Sequence, residues 1–436
     1  MIMKRTRILQ RSDHQVSRRH IDRDALQVMH RLNRNGYKAY LVGGSVRDLM
    51  LGRAPKDFDI STDAEPQQIK KLFRNCFLVG RRFRLAHIRF GRDKVIETST
   101  FRKQPAANGG GAENLVQWDD NQFGTPEEDA FRRDFTINAL FYDLHDFCVI
   151  DHVGGLADLR RQLVRTIGDP NIRFREDPVR MVRAVRFAGR LGFRLESRTR
   201  RAILRHANEV LLASPARLLE EMYKLFAMSA AENSFRLLWQ LGLMDVLMPE
   251  LAKYIKDTGG RKSPVWSTLA ALDRGACMQG PLHPALLLAT LLQGAMIAAC
   301  ARVDTIHDVN VACGAWLEPF AARFRMPKGI RYRVLRLIEN QIRFEHLAES
   351  PHTGRRTKSI ARVVGHGSFP ESLALLKIRA SAGMVTSETV SFWEDMGTKY
   401  ASSDTVPPAH EGSEDAETVP RPRRRRRRRR KNVHET

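Results

Sequence analysis

The sequence has few cysteines, no long apolar run and a shortage of acidic side chains. Its five cysteines form no C-x-x-C pair and have no metal-type histidines nearby, which excludes a disulfide framework and favours a reduced, intracellular protein without a zinc site. The run "PALLLATLLQGAMIAAC" is interrupted by Gln293 and falls short of the roughly 20 apolar residues of a membrane span. We therefore expect a cytoplasmic protein with no membrane association.

The shortage of acidic side chains leaves a strongly basic chain. Its 436 residues include 73 Lys and Arg against 49 Asp and Glu, a formal net charge of +24. Such an imbalance indicates a polyanionic partner, with nucleic acid favoured over an anionic membrane surface. Charge alone specifies neither a base sequence nor a reaction.

Composition and periodicity divide the chain into five parts. Residues 1–22 are polar and are expected to be a flexible arm, and the mixed helix and strand patterns of residues 23–155 predict an α+β head with a mixed sheet. Apolar residues at three- and four-residue spacing predict a helical neck over 156–250 and a helical body over 251–400. Residues 401–436 hold a Pro/Ser/acidic linker and an arginine run, which we expect to be disordered.

The head contains two aspartates, Asp57 and Asp59, shortly after a glycine-rich turn in "LVGGSVRDLMLGRAPKDFD". Residues two apart on a strand face the same side, so two carboxylates there repel unless a cation lies between them. Adjacent glycines after a strand let backbone N–H groups approach an anion, and Arg47 can add charge-assisted hydrogen bonds. Each feature alone is more often a tight turn or a solvated strand end. Together they predict a triphosphate site with Mg²⁺ on the aspartates.

Three stretches in order resemble the class II nucleotidyltransferases, the family that holds tRNA CCA-adding enzymes and bacterial poly(A) polymerases. They are "YLVGGSVRDLMLGRAPKDFDIST", "RRDFTINALFYD" and "REDPVRMVRAVRFAGRLGF", and the resemblance covers about residues 25–250. It implies a nucleotidyltransferase head in which two Mg²⁺ ions, held by Asp57 and Asp59, activate an RNA 3′-hydroxyl and stabilise the leaving pyrophosphate. RNA 3′ ends and ATP are the implied partners.

The resemblance also implies roles for other residues of these motifs. Nucleotide contacts are implied for Gly43, Gly44, Arg47, Arg133, Asp177, Arg180 and Arg183. Asp134 is implied as the third essential acid, and capping of a following helix is compatible with that role. By resemblance Asp177 and Arg180 read the base edge, while Asp177 also fits an N-cap. A solvated basic face remains the alternative for the arginines, and Glu97 is left unassigned.

Two local patterns complete these expectations. The spacing of Ile137, Leu140 and Phe141 favours a helix directly after Asp134. In "REDPVRMVRAVRFAGRLGF", a helix would place Arg180, Arg183 and Arg190 along one face.

Two features favour the poly(A)-adding branch of the family. "LFRNCFLVGRRFRLAHIRFG" looks like the poly(A) polymerase version of the head, and the terminal arginine run resembles the basic extension of those enzymes. Clustered arginines bind phosphates without base specificity, which suits RNA ends of any sequence. The implied function is template-independent addition of AMP from ATP to RNA 3′-hydroxyls in RNA processing and decay. CCA addition to tRNA is the alternative, and intact acidic motifs disfavour a non-catalytic RNA-binding protein.

Overall fold

The computed structural model describes residues 6–80, 84–92, 94–103, 122–275, 282–300, 306–351 and 353–401. A mixed sheet occupies the N-terminal part of this chain, and helices form nearly all of the remainder. The predicted α+β class is therefore confirmed.

The head sheet places the glycine turn next to the two aspartates of the motif. Its strands, in the described residues, are β1 (Arg7–Leu9), β2 (Ala39–Val42), β3 (Asp59–Thr62), β4 (Cys76–Val79), β5 (Leu85–Phe90), β6 (Lys94–Thr100), β7 (Leu140–Asp143) and β8 (Val149–Asp151). Their order is β1-β8-β7-β2-β3-β6-β5-β4, with β3 and β6 parallel and the other neighbours antiparallel. Val42 at the end of β2 pairs with Asp59 at the start of β3, so the glycine turn after β2 adjoins the aspartates.

The N-terminal residues do not form the flexible arm that we expected over residues 1–22. β1 pairs with β8 and completes one edge of the sheet, and Val16 and Ile21 are buried in the core. A ring nitrogen of His14, Nε2, lies 2.9 Å from the Phe147 carbonyl oxygen. The prediction is wrong for this described segment because the edge of β8 offers unpaired backbone groups, and a polar sequence does not reveal that edge.

The segment after Asp134 is not the helix that its spacing favours. Thr136–Asn138 forms a single 3₁₀ turn, and β7 follows between β2 and β8. Leu140, Phe141 and Tyr142 are all buried, so the strand lacks the alternation that distinguishes a half-exposed strand from a helix.

Helices complete the head and form the neck and body. The first group is α1 (Arg23–Arg34), α2 (Gly44–Met50), α3 (Pro66–Leu72), α4 (Pro126–Arg132), α5 (Gly155–Arg160) and α6 (Pro170–Glu176). The second is α7 (Val179–Leu191), α8 (Ser197–His206), α9 (Pro215–Lys224), α10 (Ala231–Gln240), α11 (Leu243–Leu247) and α12 (Pro249–Asp257). The third is α13 (Pro264–Asp273), α14 (Pro284–Ala299), α15 (Ile306–Phe324), α16 (Lys328–Glu349), α17 (Gly354–Val364), α18 (Phe369–Ser381) and α19 (Ser387–Ala401). A small parallel pair, β9 (Leu163–Val164) with β10 (Arg194–Leu195), lies within the helical region.

The apolar core is continuous between these parts. One cluster of buried side chains runs from Val16 in the head to Ile378 in the body, and a smaller cluster around Phe344 and Trp393 joins the last helices. Among the helices of the described ranges, none combines the length and hydropathy needed to cross a membrane. The predicted linker and arginine tail, from residue 402 onward, lie outside the described residues.

Candidate active site

The turn after β2 requires glycine at position 43. Gly43 has φ +73° and ψ −129°, a region that side-chain-bearing residues rarely adopt. A Cβ at this position would lie 3.3 Å from Arg133 Nη1, so glycine also lets that side chain approach the turn. α2 begins at Gly44 and has only seven residues, so it offers an anion its free N–H groups and only a small helix dipole.

Asp57 and Asp59 line the cavity beside this turn, where each residue is reached by solvent but the Asp59 carboxyl lies deep enough to lose much of its surrounding water. β3 begins at Asp59, so Asp57 precedes the strand, and Phe58 between them packs against the core. Neither carboxylate has a hydrogen bond or ion pair to another residue in the described chain. The loss of water around the Asp59 carboxyl, then the charges of Glu97 and Asp57, raise its pKa to about 6 against the opposing charge of Arg133.

This pair of carboxylates has the chemistry of a magnesium site. Mg²⁺ takes oxygen ligands, and one or two carboxylates commonly hold it while water and substrate phosphates fill its other positions. The described residues contain no cluster of three or more His, Cys, Asp or Glu side chains that could form a cage. Two neighbouring carboxylates without a bonded counter-charge, one with a raised pKa, would be stabilised by a divalent cation.

Asp134 connects the head to the neck. Its Oδ2 accepts hydrogen bonds from Arg183 Nε and Nη2 at 2.8 and 2.5 Å, and its Oδ1 accepts from the Phe135 N–H and the Asn138 side chain. Burial alone would raise the pKa of Asp134, but Arg183 and these hydrogen bonds outweigh burial and lower the pKa. Both carboxylate oxygens are therefore occupied, which favours a positioning role over direct metal ligation.

α7 lines the cavity with a row of arginines, as the spacing predicts. The row comprises Arg180, Arg183, Arg186 and Arg190. Arg186 Nε donates to Glu221 Oε2 at 2.8 Å, and Arg190 Nη2 donates to Asp48 Oδ2 at 3.0 Å. Carboxylates from other helices thus hold these guanidinium groups along one wall.

Asp177 is not the N-cap that we predicted for α7. The helix begins two residues later, and the Asp177 carboxylate instead accepts hydrogen bonds from Arg217 Nη1 and Nη2 at 3.0 and 2.8 Å. Arg180 Nη1 donates to Glu176 Oε2 at 3.0 Å. The capping prediction is wrong because an arginine from α9, distant in sequence, engages the carboxylate.

Arg133 and Arg47 both lie at the cavity, but the protein already uses many of their donors. Arg133 Nη2 donates to Asp129 Oδ2 at 2.9 Å and to Ser61 Oγ at 3.2 Å. Arg47 is 1 % exposed, and it donates to Asp48 at 2.8 Å and to Asn138 at 2.6 Å. These contacts fix the two guanidinium groups in place around the glycine turn.

The cavity has a volume of about 590 Å³ and brings together every site residue that we predicted. The lining residues that sequence reasoning missed are Ser45, Asp48, Lys56, Asn138, Val179, Arg186, Phe187, Arg217, Glu220, Glu221 and Lys224. A signal existed for the α9 residues, because Arg217, Glu220, Glu221 and Lys224 follow the spacing of one helical face.

Family profiles match three parts of the chain. The matches are the Poly A polymerase head domain at 39–165, the probable RNA and SrmB-binding site of polymerase A at 192–255, and the polymerase A arginine-rich C-terminus at 302–431. A poly(A) polymerase I of Escherichia coli O6:H1 is 38% identical over 387 residues, which is 86% of this chain and 81% of the relative. The chain belongs to the bacterial poly(A) polymerase I family.

This poly(A) polymerase I family shares its architecture with CCA-adding enzymes. One from Geobacillus thermodenitrificans is 39% identical over 252 residues, which is 57% of this chain and 60% of the relative. The crystal structure of the Bacillus stearothermophilus CCA-adding enzyme in complex with CTP has a TM-score of 0.59 at 27% identity and covers 87% of this chain and 82% of that one. The predicted nucleotidyltransferase fold and the predicted branch of the family are therefore confirmed.

Proposed function

We propose that the protein transfers AMP from ATP to the 3′-hydroxyl of RNA without a template. The observation that carries this proposal is the cavity, in which Asp57 and Asp59 have no bonded counter-charge among the described residues while α7 supplies a row of arginines. The arrangement suits a nucleoside triphosphate with a bound cation, and family membership supports AMP as the transferred group.

The transfer makes and breaks one bond at the α-phosphorus of ATP. The acceptor 3′-oxygen bonds to the α-phosphorus, the bond from the α-phosphorus to the bridging oxygen breaks, and pyrophosphate leaves. The acceptor proton passes to solvent. Two Mg²⁺ ions on Asp57 and Asp59 would supply positive charge to the attacking and leaving oxygens.

The remaining cavity residues bind and orient the nucleotide. The backbone N–H of Gly44 and the guanidinium of Arg133 would contact the triphosphate. The Gly43 N–H donates to the Leu140 carbonyl oxygen at 3.2 Å, so Gly43 contributes the close approach of its backbone, and Arg47 supports the turn from below the surface. Asp134 holds Arg183 toward the nucleotide.

Asp177 and Arg180 offer an acceptor and a donor to the base edge. Asp177 is bonded to Arg217 of α9, and Arg180 of α7 is bonded to Glu176. A carboxylate can accept further hydrogen bonds and a guanidinium can donate further ones, so a base can contact both side chains while these bonds remain. The bonds give the protein a way to couple base identity to the arrangement of α7 and α9.

The parts of the chain divide this work between them. We assign catalysis to the head at 23–155, nucleotide and RNA binding to the neck at 156–250, RNA binding to the body at 251–400, and non-specific RNA binding to the arginine run within 401–436. The bacterial relatives are poly(A) polymerases, and we extend the proposal to cytoplasmic RNA in processing and decay.

CCA addition to tRNA is the second candidate function. It is favoured by the structural likeness to a CCA-adding enzyme in complex with CTP. The longer match to poly(A) polymerase I and the arginine-rich terminus favour AMP addition.

Incorporation of labelled AMP into an unstructured RNA tests the proposal. D57N and D59N should each abolish incorporation while RNA affinity, measured by fluorescence anisotropy, stays within about twofold, because the changes remove one charge and preserve side-chain shape. Incorporation that persists in both variants would refute the assignment of this cavity.

A further inference from the structure

A second cavity of about 420 Å³ opens on the outer face of the head sheet, next to the first. It is lined by Val42, Asp59, Ile60, Leu85, Glu97, Ser99, Arg102, Arg132 and Arg133. Asp59 and Arg133 also line the first cavity, so the two spaces meet at these residues. Asp59 therefore borders both cavities.

The outer sheet face beside this cavity carries aromatic, basic and apolar side chains. Strand pairing places Phe77 across from His87, and His87 across from Glu97. Phe77 is 54% exposed, and the Arg89 guanidinium lies 5.3 Å from the centre of its ring. An exposed ring with a neighbouring guanidinium is a surface on which a nucleic-acid base can stack.

In-line transfer requires the attacking and leaving oxygens to lie on opposite sides of the α-phosphorus. If the first cavity holds the triphosphate, the acceptor oxygen must approach from the other side of Asp59, where the second cavity lies. We propose that the second cavity receives the 3′-terminal nucleotide of the acceptor RNA and that Phe77 stacks on a base further from the end. This inference rests on the proposed function.

The lining of the second cavity suits a nucleotide unit. Arg132 bonds to the buried Asp129 at 3.0 Å and is about one-third exposed, so it can contact a backbone phosphate without losing that partner. Leu85 supplies an apolar contact for a ribose or a base, and its cross-strand neighbour Val79 continues the face toward Phe77. None of these contacts depends on base identity, which fits an enzyme that extends many RNA ends.

Charge changes at Leu85 test the acceptor site in the full-length protein. L85E places a negative charge in the cavity that would also hold a phosphodiester, so the Kd and KM for an unstructured RNA of roughly twelve nucleotides should rise by about tenfold. The Kd for ATP, measured without RNA, should be unchanged. L85K should leave RNA affinity equal or higher, which separates a charge effect from a packing defect.

The matched control is I8E, because Ile8 is 50% exposed on β1 at the opposite edge of the same sheet. I8E should leave the Kd and KM for RNA and the Kd for ATP unchanged. F77A should raise the RNA Kd about fivefold because one base can no longer stack. Thermal unfolding of each variant identifies any loss of fold.

The outcomes separate the two proposals. If wild-type protein incorporates no AMP, the proposed function fails, while the RNA-binding comparison still decides whether RNA occupies the sheet face. If wild-type protein incorporates AMP but L85E and L85K bind RNA equally well, the acceptor site is refuted. A rise in the ATP Kd of L85E with unchanged RNA affinity would likewise refute it.

Discussion

At the scale of single residues, the pKa values of two aspartates in one cavity shift in opposite directions. The pKa of Asp134 is lowered because Arg183 and other donors contact both of its oxygens, whereas the pKa of Asp59 is raised to about 6. Burial raises the pKa of both carboxyls. The pKa of Asp134 is nevertheless lowered because the Arg183 guanidinium contacts it, whereas no cation is bonded to Asp59 in the described chain. Asp134 is thus suited to hold an arginine, and Asp59 to receive a cation from outside.

Asp59 should destabilise the metal-free protein above its own pKa. The ordinary pKa of the carboxyl is 3.8, and its pKa in the folded protein is about 6. The folded state therefore holds the proton more tightly than the unfolded state. The stabilisation of the native state by this proton is fully present below about pH 4 and is lost as pH rises through 6. D59N should therefore raise the Tm at pH 7.5 in the presence of a chelator and leave it unchanged at pH 4.

Scanning calorimetry of both proteins at these two pH values provides the measurement. Added Mg²⁺ should raise the Tm of the wild type more than that of D59N, since only the wild type keeps both carboxylates. A D59N Tm below the wild-type value at pH 7.5 under chelation would contradict the electrostatic assignment of Asp59.

At the scale of elements, the position of α7 sets the direction of its arginines. Gly189 of this helix faces Ser234 of α10, and a Cβ at Gly189 would lie 2.3 Å from Ser234 Oγ and 2.8 Å from its Cα. The two helices therefore pack at a separation that only glycine permits. Arg186 and Arg190 flank this contact, so a shift of α7 would move both guanidinium groups.

G189A should destabilise the protein and weaken nucleotide binding together. Overpacking at this contact should cost about 1–3 kcal/mol of unfolding free energy and raise the KM for ATP severalfold. G329A is the matched control, because Gly329 lies in α16 and no neighbouring atom of the described residues is within 4 Å of where its Cβ would lie. This variant should be neutral or slightly stabilising. Denaturant unfolding and ATP kinetics of the two variants provide the comparison.

The sequence allows prediction of those elements whose pattern is local. The glycine turn, the Asp57–Asp59 pair and the arginine row of α7 each carry their signal within one segment. The spacing of β7 favours a helix because both faces of the strand are buried. The pairing of Asp177 could not be predicted because its partner Arg217 lies on α9, and no local pattern reports which distant side chain will compete for a carboxylate.

At the scale of the whole molecule, the positive charge extends well beyond the cavity. The net charge is +24, and the segment 421–431 alone contains an arginine run that no acidic residue interrupts. Such a segment attracts phosphates from any RNA, while the proposed active-site cavity would act only on the 3′ end. Affinity for RNA and catalysis are therefore expected to separate in deletion variants.

Deletion of residues 421–431 should weaken RNA binding and flatten its salt dependence. For single-stranded RNA the slope of log K against log salt should fall by about 0.7 for each phosphate that the shortened protein no longer binds, with kcat at saturating RNA unchanged. Deletion of residues 402–412, which are equal in number and contain no arginine, is the control. An unchanged slope after removal of 421–431 would show that the body and neck bind the RNA phosphates.

The most direct test of the central claim is a nucleotide-incorporation assay in which the purified protein receives each of the four nucleoside triphosphates separately. One acceptor is an unstructured RNA and the other is a tRNA that lacks its CCA end. We predict that ATP alone supports extended addition to the unstructured RNA and that D59N removes it. Incorporation of CTP that stops after two residues on the tRNA, with no extended AMP tail on the unstructured RNA, would contradict the assignment.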